Sequence, residues 1–298
     1  MRERRLEKIV ITATLLIGCA SPSATAMPTP TVPSTPAPSA APTAAAPSFE
    51  RIATETADGV TVTDLIFDGG RPSSAYLVVP DGAAAGSARG ILWFHWLEGG
   101  SPTSNRTEFL DEAKALAASD GVVSLLVDGT FPWLERPESI DHDRSAVEAD
   151  LAMLGAAYEL LLARPEVDPG RTALVGHDYG AMYGAALFAA DDRPAALVAM
   201  ASTAHWADWN LRYWHLGDDP DAYRAALAPY DLVTSLASGG GRPVLLQFAT
   251  LDQYVPAEVA DAVTAAAGPT AERHDYETGH ELDDAARADR DAWLVAHL

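Results

Sequence analysis

Thr172-Ala173-Leu174-Val175-Gly176-His177-Asp178-Tyr179-Gly180-Ala181-Met182-Tyr183-Gly184 is the stretch on which the reading of this chain turns. An apolar strand pattern at 172–175 runs into a turn bounded by two glycines and then into small residues of helical type. A strand that passes into a helix within so few residues carries its central side chain on a sharp, strained turn, displayed above the sheet edge. That side chain is Asp178. Gly176 and Gly180 are read as positions where a side chain would collide with the neighbouring strand or helix. A simpler use for a glycine-flanked aspartate is to cap the helix that follows, so the residues around it have to decide.

On either side of this stretch, and within it, short β-rich runs occur at 60–67, 75–79, 90–96, 122–127, 172–175, 196–200 and 244–248. Helical patterns separate the later runs. Ser145-Ala146-Val147-Glu148 reads as a capping box, with Val147, Leu151, Leu154, Tyr158 and Leu162 on one face until Arg164-Pro165 ends the helix. Pro256 fits the first turn of another helix, with Val259 and Val263 inward and Gly268 as its stop. Apolar strands alternating with amphipathic helices predict an α/β domain over residues 49–298. Its sheet is mostly parallel with helices on both faces, and antiparallel pairing is confined to the first strands. Residues 204–241, between two of the strands, are long enough for a small helical lid.

Two further segments complete a constellation. Ala249-Thr250-Leu251-Asp252-Gln253-Tyr254-Val255-Pro256 places a carboxylate just after a strand and before a helix, and Thr278-Gly279-His280-Glu281-Leu282 places a histidine before the last helix. With these residues in view, the chain resembles the α/β-hydrolase superfamily, in which nucleophile, acid and histidine follow in that order. Val167-Asp168-Pro169-Gly170-Arg171 and the domain as a whole resemble dienelactone hydrolases and prolyl-oligopeptidase-like hydrolases. Those families carry Cys or Ser where this chain has Asp178, and Gly176-His177-Asp178-Tyr179-Gly180 instead resembles the elbow of epoxide hydrolases and haloalkane dehalogenases. The resemblance implies Asp178 as nucleophile, His280 as base and Asp252 as its orienting acid. It also implies an oxyanion hole made by the backbone N–H of Tyr179 and by one from Phe94-His95-Trp96-Leu97-Glu98-Gly99-Gly100, for which Trp96 is the candidate. His95 is expected to be a hydrogen-bonded structural residue and Asp128 a loop-shaping one.

The lid opens with Ala204-His205-Trp206-Ala207-Asp208-Trp209-Asn210-Leu211-Arg212-Tyr213-Trp214-His215. Trp206, Trp209 and Tyr213 recur at helical spacing, which suits a lid core; they are also the candidates to line a substrate pocket, with an indole N–H or phenol O–H available to a leaving group. An aromatic wall favours a small, weakly polar substrate.

An aspartate nucleophile restricts the electrophile. Attack on an ester would give a tetrahedral intermediate that expels either a carboxylate, whose acid has pKa about 4, or an alkoxide whose alcohol has pKa about 16, at about 1.36 kcal/mol per unit. Collapse backwards wins unless the alcohol leaves fully protonated. Displacement at a tetrahedral carbon bearing a halide or an epoxide oxygen avoids that competition. Three readings follow: a hydrolase of an epoxide or alkyl halide through Asp178, an ester or lactone hydrolase with Asp178 as general base on water, and an inactive surface lipoprotein that binds a small ligand. His280 and Asp252 disfavour the last, since binding would not require them. No metal-ligand cluster, phosphate-binding glycine loop or cofactor motif is visible, so no metal or cofactor is expected.

Residues 1–18 read as a signal peptide, with Arg2, Arg4, Arg5 and Lys8 ahead of an apolar run too short to span a bilayer. The run ends in Leu16-Ile17-Gly18-Cys19, which resembles the bacterial lipobox and implies lipidation of Cys19, the single cysteine of the chain. Residues 19–48, almost all Pro, Ala, Ser and Thr after the cysteine, read as a disordered tether. The expected product is exported and anchored by lipid to the outer face of a bacterial membrane. A formal net charge of -22 argues against a nucleic-acid partner and suits a well-solvated surface, leaving a small-molecule substrate as the expected ligand.

Overall fold

A computed structural model of the chain describes residues 46–97, 105–214, 217 and 219–298. The leader expected at 1–18, Cys19, nearly all of the tether expected at 19–48, Glu98-Gly99-Gly100 and His215 lie outside the described residues.

The described part opens with three strands, β1 (Phe49–Ala57), β2 (Val60–Asp68) and β3 (Pro72–Pro80), and then alternates. β4 (Ala88–Phe94), α1 (Leu110–Asp120), β5 (Val123–Val127), α2 (Ile140–Leu162), β6 (Val167–His177), α3 (Tyr179–Ala190) and β7 (Ala196–Met200) follow in turn. A helical insertion comes next, made of α4 (Trp206–Trp214), α5 (Pro220–Leu227), a 3-10 turn (Ala228–Tyr230) and α6 (Leu232–Ala237). β8 (Val244–Ala249), α7 (Ala257–Ala267), β9 (Ala271–Tyr276) and α8 (Asp284–His297) complete the domain. The strands form one sheet in the order β1-β2-β3-β5-β4-β6-β7-β8-β9. β1, β2, β3 and β5 pair antiparallel in sequence, and every other pairing is parallel. Each parallel pair is bridged by a helix, as a parallel crossover requires.

Why these strands sit at the centre is visible in their side chains. Successive residues point to opposite faces, so a strand buried on both sides needs apolar residues throughout. Leu92, Leu125, Leu174, Leu197 and Leu246 enter the core shared with α2, α3 and the insertion. Their chain neighbours Trp93, Leu126, Val175, Val198 and Leu245 enter the core under α1 and α8. Two edge strands escape a reading based on hydrophobic runs. β1 (FERIATETA) is exposed along almost its whole length and β9 (AERHDY) is mostly exposed or half-buried, so neither carries an apolar signal. The helix expected from Ser145 starts earlier: Ser139 is the N-cap, in extended backbone, and its hydroxyl accepts from the His142 N–H, which leaves Ser145 in the second turn of α2. Among the described residues no helix is long and apolar enough to cross a membrane.

Candidate active site

β6 ends at His177 and α3 begins at Tyr179, so Asp178 alone makes the turn, with φ 60° and ψ −121°. A non-glycine residue with positive φ outside the usual left-handed well is held there only by its surroundings, and such strain concentrates at functional sites. The surroundings are the two glycines. A Cβ on Gly176 would stand 2.2 Å from Gly180 O, and a Cβ on Gly180 would stand 2.2 Å from Phe94 O. Small residues at both positions let β4, the elbow and α3 close on one another. Asp178 makes no side-chain cap on α3, so the capping role weighed from sequence is not what it does.

The acid and the histidine arrive at the same sheet edge. Asp252, in the loop after β8, accepts the Tyr254 N–H at 2.7 Å through Oδ1 and meets His280 Nδ1 at 2.7 Å through Oδ2. His280 Nε2 faces Asp178 Oδ2 at 3.6 Å, an ion-pair contact rather than a hydrogen bond. Burial alone would push the imidazole's pKa down, but the flanking carboxylates of Asp178 and Asp252 outweigh it and hold the pKa up at about 10. At neutral pH His280 therefore carries its proton.

The loop after β4 departs from the sequence reading. The Trp96 N–H, expected to be the second oxyanion donor, is turned away and donates to Glu108 Oε2 at 2.7 Å. It is the next amide, Leu97 N–H, that meets Asp178, donating to Oδ2 at 3.1 Å. Asp178 Oδ1 is buried and has no hydrogen-bond partner among the described residues. Tyr179 opens α3, where the first amides have no partner within the helix. His95 is structural: its Nδ1–H donates to Trp96 O at 3.0 Å, its Nε2 accepts the Gly129 N–H at 2.9 Å, and burial lowers its pKa to about 4. Asp128 shapes the same region by accepting the Arg106 N–H at 3.1 Å.

Over Asp178 and His280 lies a cavity of about 680 Å³ walled by Trp96, Trp133, Trp209, Trp214, Tyr213 and Tyr254, with Arg136 and Glu281 also in its lining. Of the three lid aromatics expected there, Trp209 forms wall and Tyr213, 41% exposed, stands where the cavity meets solvent. Trp206 does not line it. Its ring is fully buried against Tyr179 and Tyr183, and its Nε1–H donates to Tyr230 O at 3.0 Å, making it lid core.

Two polar residues that sequence reasoning did not place in the site lie directly behind it. His177, inside the elbow motif, meets Glu108 Oε1 at 2.7 Å through Nδ1 and His280 O at 3.0 Å through Nε2. Glu108 belongs to no motif; its position just before α1 was the only hint, and a weak one. Among the described residues no group of three or more His, Cys, Asp or Glu side chains could hold a metal ion.

No family model matches the sequence, and no curated protein matches it. Solved structures do share the fold. An acetyl xylan esterase from Paenibacillus sp. R4 is 18% identical over 85% of this chain and 89% of its own, with a TM-score of 0.68. An S-formylglutathione hydrolase from Agrobacterium tumefaciens is 17% identical over 83% and 99%, at 0.63. A 2,6-dihydroxy-pseudo-oxynicotine hydrolase is 19% identical over 80% and 67%, at 0.62. The chain has the α/β-hydrolase fold, with a mostly parallel sheet and helices on both faces.

Proposed function

We propose that the protein is a hydrolase of small organic electrophiles, an epoxide or an alkyl halide, with Asp178 as nucleophile, His280 as base and Asp252 as the acid that orients it. The observation that carries this reading is the Leu97 N–H on Asp178 Oδ2. In an acyl-transfer site with a separate nucleophile, the backbone donor waits for the substrate's carbonyl oxygen. Here it holds the protein's own carboxylate, so the oxyanion it serves is one that develops on Asp178 itself.

In the first step an Asp178 oxygen attacks the tetrahedral carbon. The new C–O bond forms as the bond to halide or epoxide oxygen breaks, and the electron pair leaves on that atom. No base is needed, which suits a His280 that is already protonated. The product is an alkyl ester of Asp178, and forming it removes one of the two carboxylate charges that hold the proton on His280. That proton passes to the epoxide's alkoxide or, after halide departs, to water. Neutral His280, oriented by Asp252 at 2.7 Å, then takes a proton from water as the water attacks the Asp178 carbonyl carbon. The Leu97 N–H holds the oxyanion; collapse expels the product alkoxide, which takes a proton from His280, and the Asp178 carboxylic acid released in the collapse passes its own proton to His280, restoring carboxylate and imidazolium.

The aromatic wall and the two carboxylates beside a single imidazolium favour neutral or cationic substrates over anionic ones such as haloacids. Screening the domain for halide release and epoxide consumption, with Asp178→Ala as control, tests the reading; turnover that survives Asp178→Ala removes it. A second reading, ester or lactone hydrolysis with Asp178 as general base on water, is favoured by the esterases among the fold neighbours. It requires the Leu97 N–H to leave Asp178 for the substrate's carbonyl. Export and lipid attachment at Cys19 belong to the same proposal; loss of membrane retention in Cys19→Ala, with the domain still folded, is the expected result.

A further inference from the structure

Behind Asp178, three loops from different parts of the chain meet through one side chain. Glu108 Oε2 accepts the Trp96 N–H at 2.7 Å and Glu108 Oε1 bonds His177 Nδ1 at 2.7 Å. His177 Nε2 in turn bonds the backbone oxygen of His280 at 3.0 Å. The Trp96 ring stacks on His177 at 5.1 Å between centroids and 12° between planes, and on His280 at 5.9 Å. The side chains of His177 and Glu108 are 3% and 13% exposed.

A carbonyl oxygen only accepts, so His177 Nε2 carries a hydrogen. Two charge states then fit the contact at Nδ1: an imidazolium donating to a carboxylate, or a neutral imidazole accepting from a protonated carboxylic acid. Burial of both groups selects the second. It drives the His177 pKa down to about 3, with the charge on the nearby His280 adding to the effect, and it drives Glu108 well above the usual carboxylate range. The other charges facing the pair divide in sign. Glu112 and Asp178 raise the Glu108 pKa while Arg290 lowers it, and Asp178 raises the His177 pKa while Arg290 lowers it.

We infer that Glu108, acting through His177, is a positioning residue of the active site. It donates its carboxyl hydrogen to His177 and accepts from Trp96, and so fixes the Leu97 amide and the His280 imidazole against Asp178. Turning the Trp96 amide toward Glu108 is what presents the next amide, Leu97, to Asp178. Holding the His280 carbonyl fixes the loop from which that imidazole reaches both carboxylates. The inference rests on the Asp178 chemistry only for its effect on turnover; the proton positions stand apart from it.

Glu108→Gln is the decisive variant because an amide has the same shape as a protonated acid, with one donor for His177 Nδ1 and one acceptor for Trp96. It should keep the unfolding midpoint and the kcat of the wild type, whereas Glu108→Leu should lose about 10²-fold in kcat with little change in KM, the scale expected for misplaced reacting groups. Nitrogen-15 histidine NMR of the wild-type protein, with His177→Gln to identify the signal, should show His177 as the neutral Nε2–H tautomer. That state should persist from about pH 5 to about pH 9, across the ordinary histidine pKa of about 6.5. If Glu108→Leu does not fold, the tautomer and the glutamine rescue still decide. An imidazolium at His177 near neutral pH, or a Glu108→Gln variant as impaired as Glu108→Leu, would overturn the inference. A neutral His177 together with failure to trap any adduct on Asp178 would leave this network standing and remove the chemistry instead.

Discussion

The amide of Leu97 donates to Asp178 Oδ2 at 3.1 Å, while the other oxygen of the same carboxylate is buried with no hydrogen-bond partner among the described residues. One half of the side chain is thus fixed by the backbone of a neighbouring strand's loop. A serine at the same elbow would leave that amide open.

Asp178→Ser should therefore redirect the site. With Asp252 and His280 in place, the hydroxyl completes a Ser-His-Asp arrangement, and the Leu97 N–H becomes available to a substrate carbonyl. The expected result is loss of epoxide or halide turnover and a gain of activity on activated acyl esters, seen as a burst of leaving group. A variant that shows neither loss nor gain would contradict the assignment of the Leu97 amide.

His280 gives a pH test with a definite sign. Its pKa of about 10 in the folded protein stands above the unfolded value of about 6.5. The protonated form thus contributes stability that is fully present below about pH 6.5 and is lost as pH rises through about 10. Asp178→Asn removes one of the two carboxylates responsible. NMR titration should find the His280 pKa lower in that variant than in the wild type, and stability falling less steeply over the same alkaline range. Equal pKa values in the two proteins would mean that Asp178 does not hold the proton.

Gly180→Ala should be disproportionately costly for the addition of one methyl group. Its Cβ would lie 2.2 Å from Phe94 O, so β4 or α3 must move. About 1–3 kcal/mol of stability, the usual scale for overpacking, should be lost in urea unfolding. Because Phe94 leads into Leu97, activity should fall further than stability alone explains. An unchanged unfolding midpoint would show that the elbow is looser than its contacts imply.

How far such features could be read beforehand depended on whether their cause is local. The elbow was legible because its glycines, its apolar strand and its helix of small residues lie within Thr172–Gly184. The Asp252 and His280 loops were legible because each follows a strand or precedes a helix in the order of the superfamily. Leu97 was missed by one residue because the turn of the Trp96 amide is set by Glu108, a contact twelve positions away that no pattern announces. Trp206 and Trp209 share a helical face in sequence, but their roles part because Trp206 meets Tyr183 below the lid whereas Trp209 meets the cavity. β1 and β9 lie at the two edges of the sheet, where one flank faces solvent, and so lack the hydrophobic runs that marked the central strands.

His280→Gln separates the two chemical steps. If Asp178 attacks carbon, the first step needs no base and proceeds, while activation of water for the second step is lost. Incubation with a panel of small haloalkanes, whose departing halide takes no proton from His280, followed by digestion and peptide mass analysis, should find the alkyl adduct on the peptide that contains Asp178. Wild-type protein under the same conditions should show little, because the ester is hydrolysed as fast as it forms. An adduct on another residue, or none in the variant while the wild type turns the same compound over, would contradict the assignment of Asp178 as nucleophile.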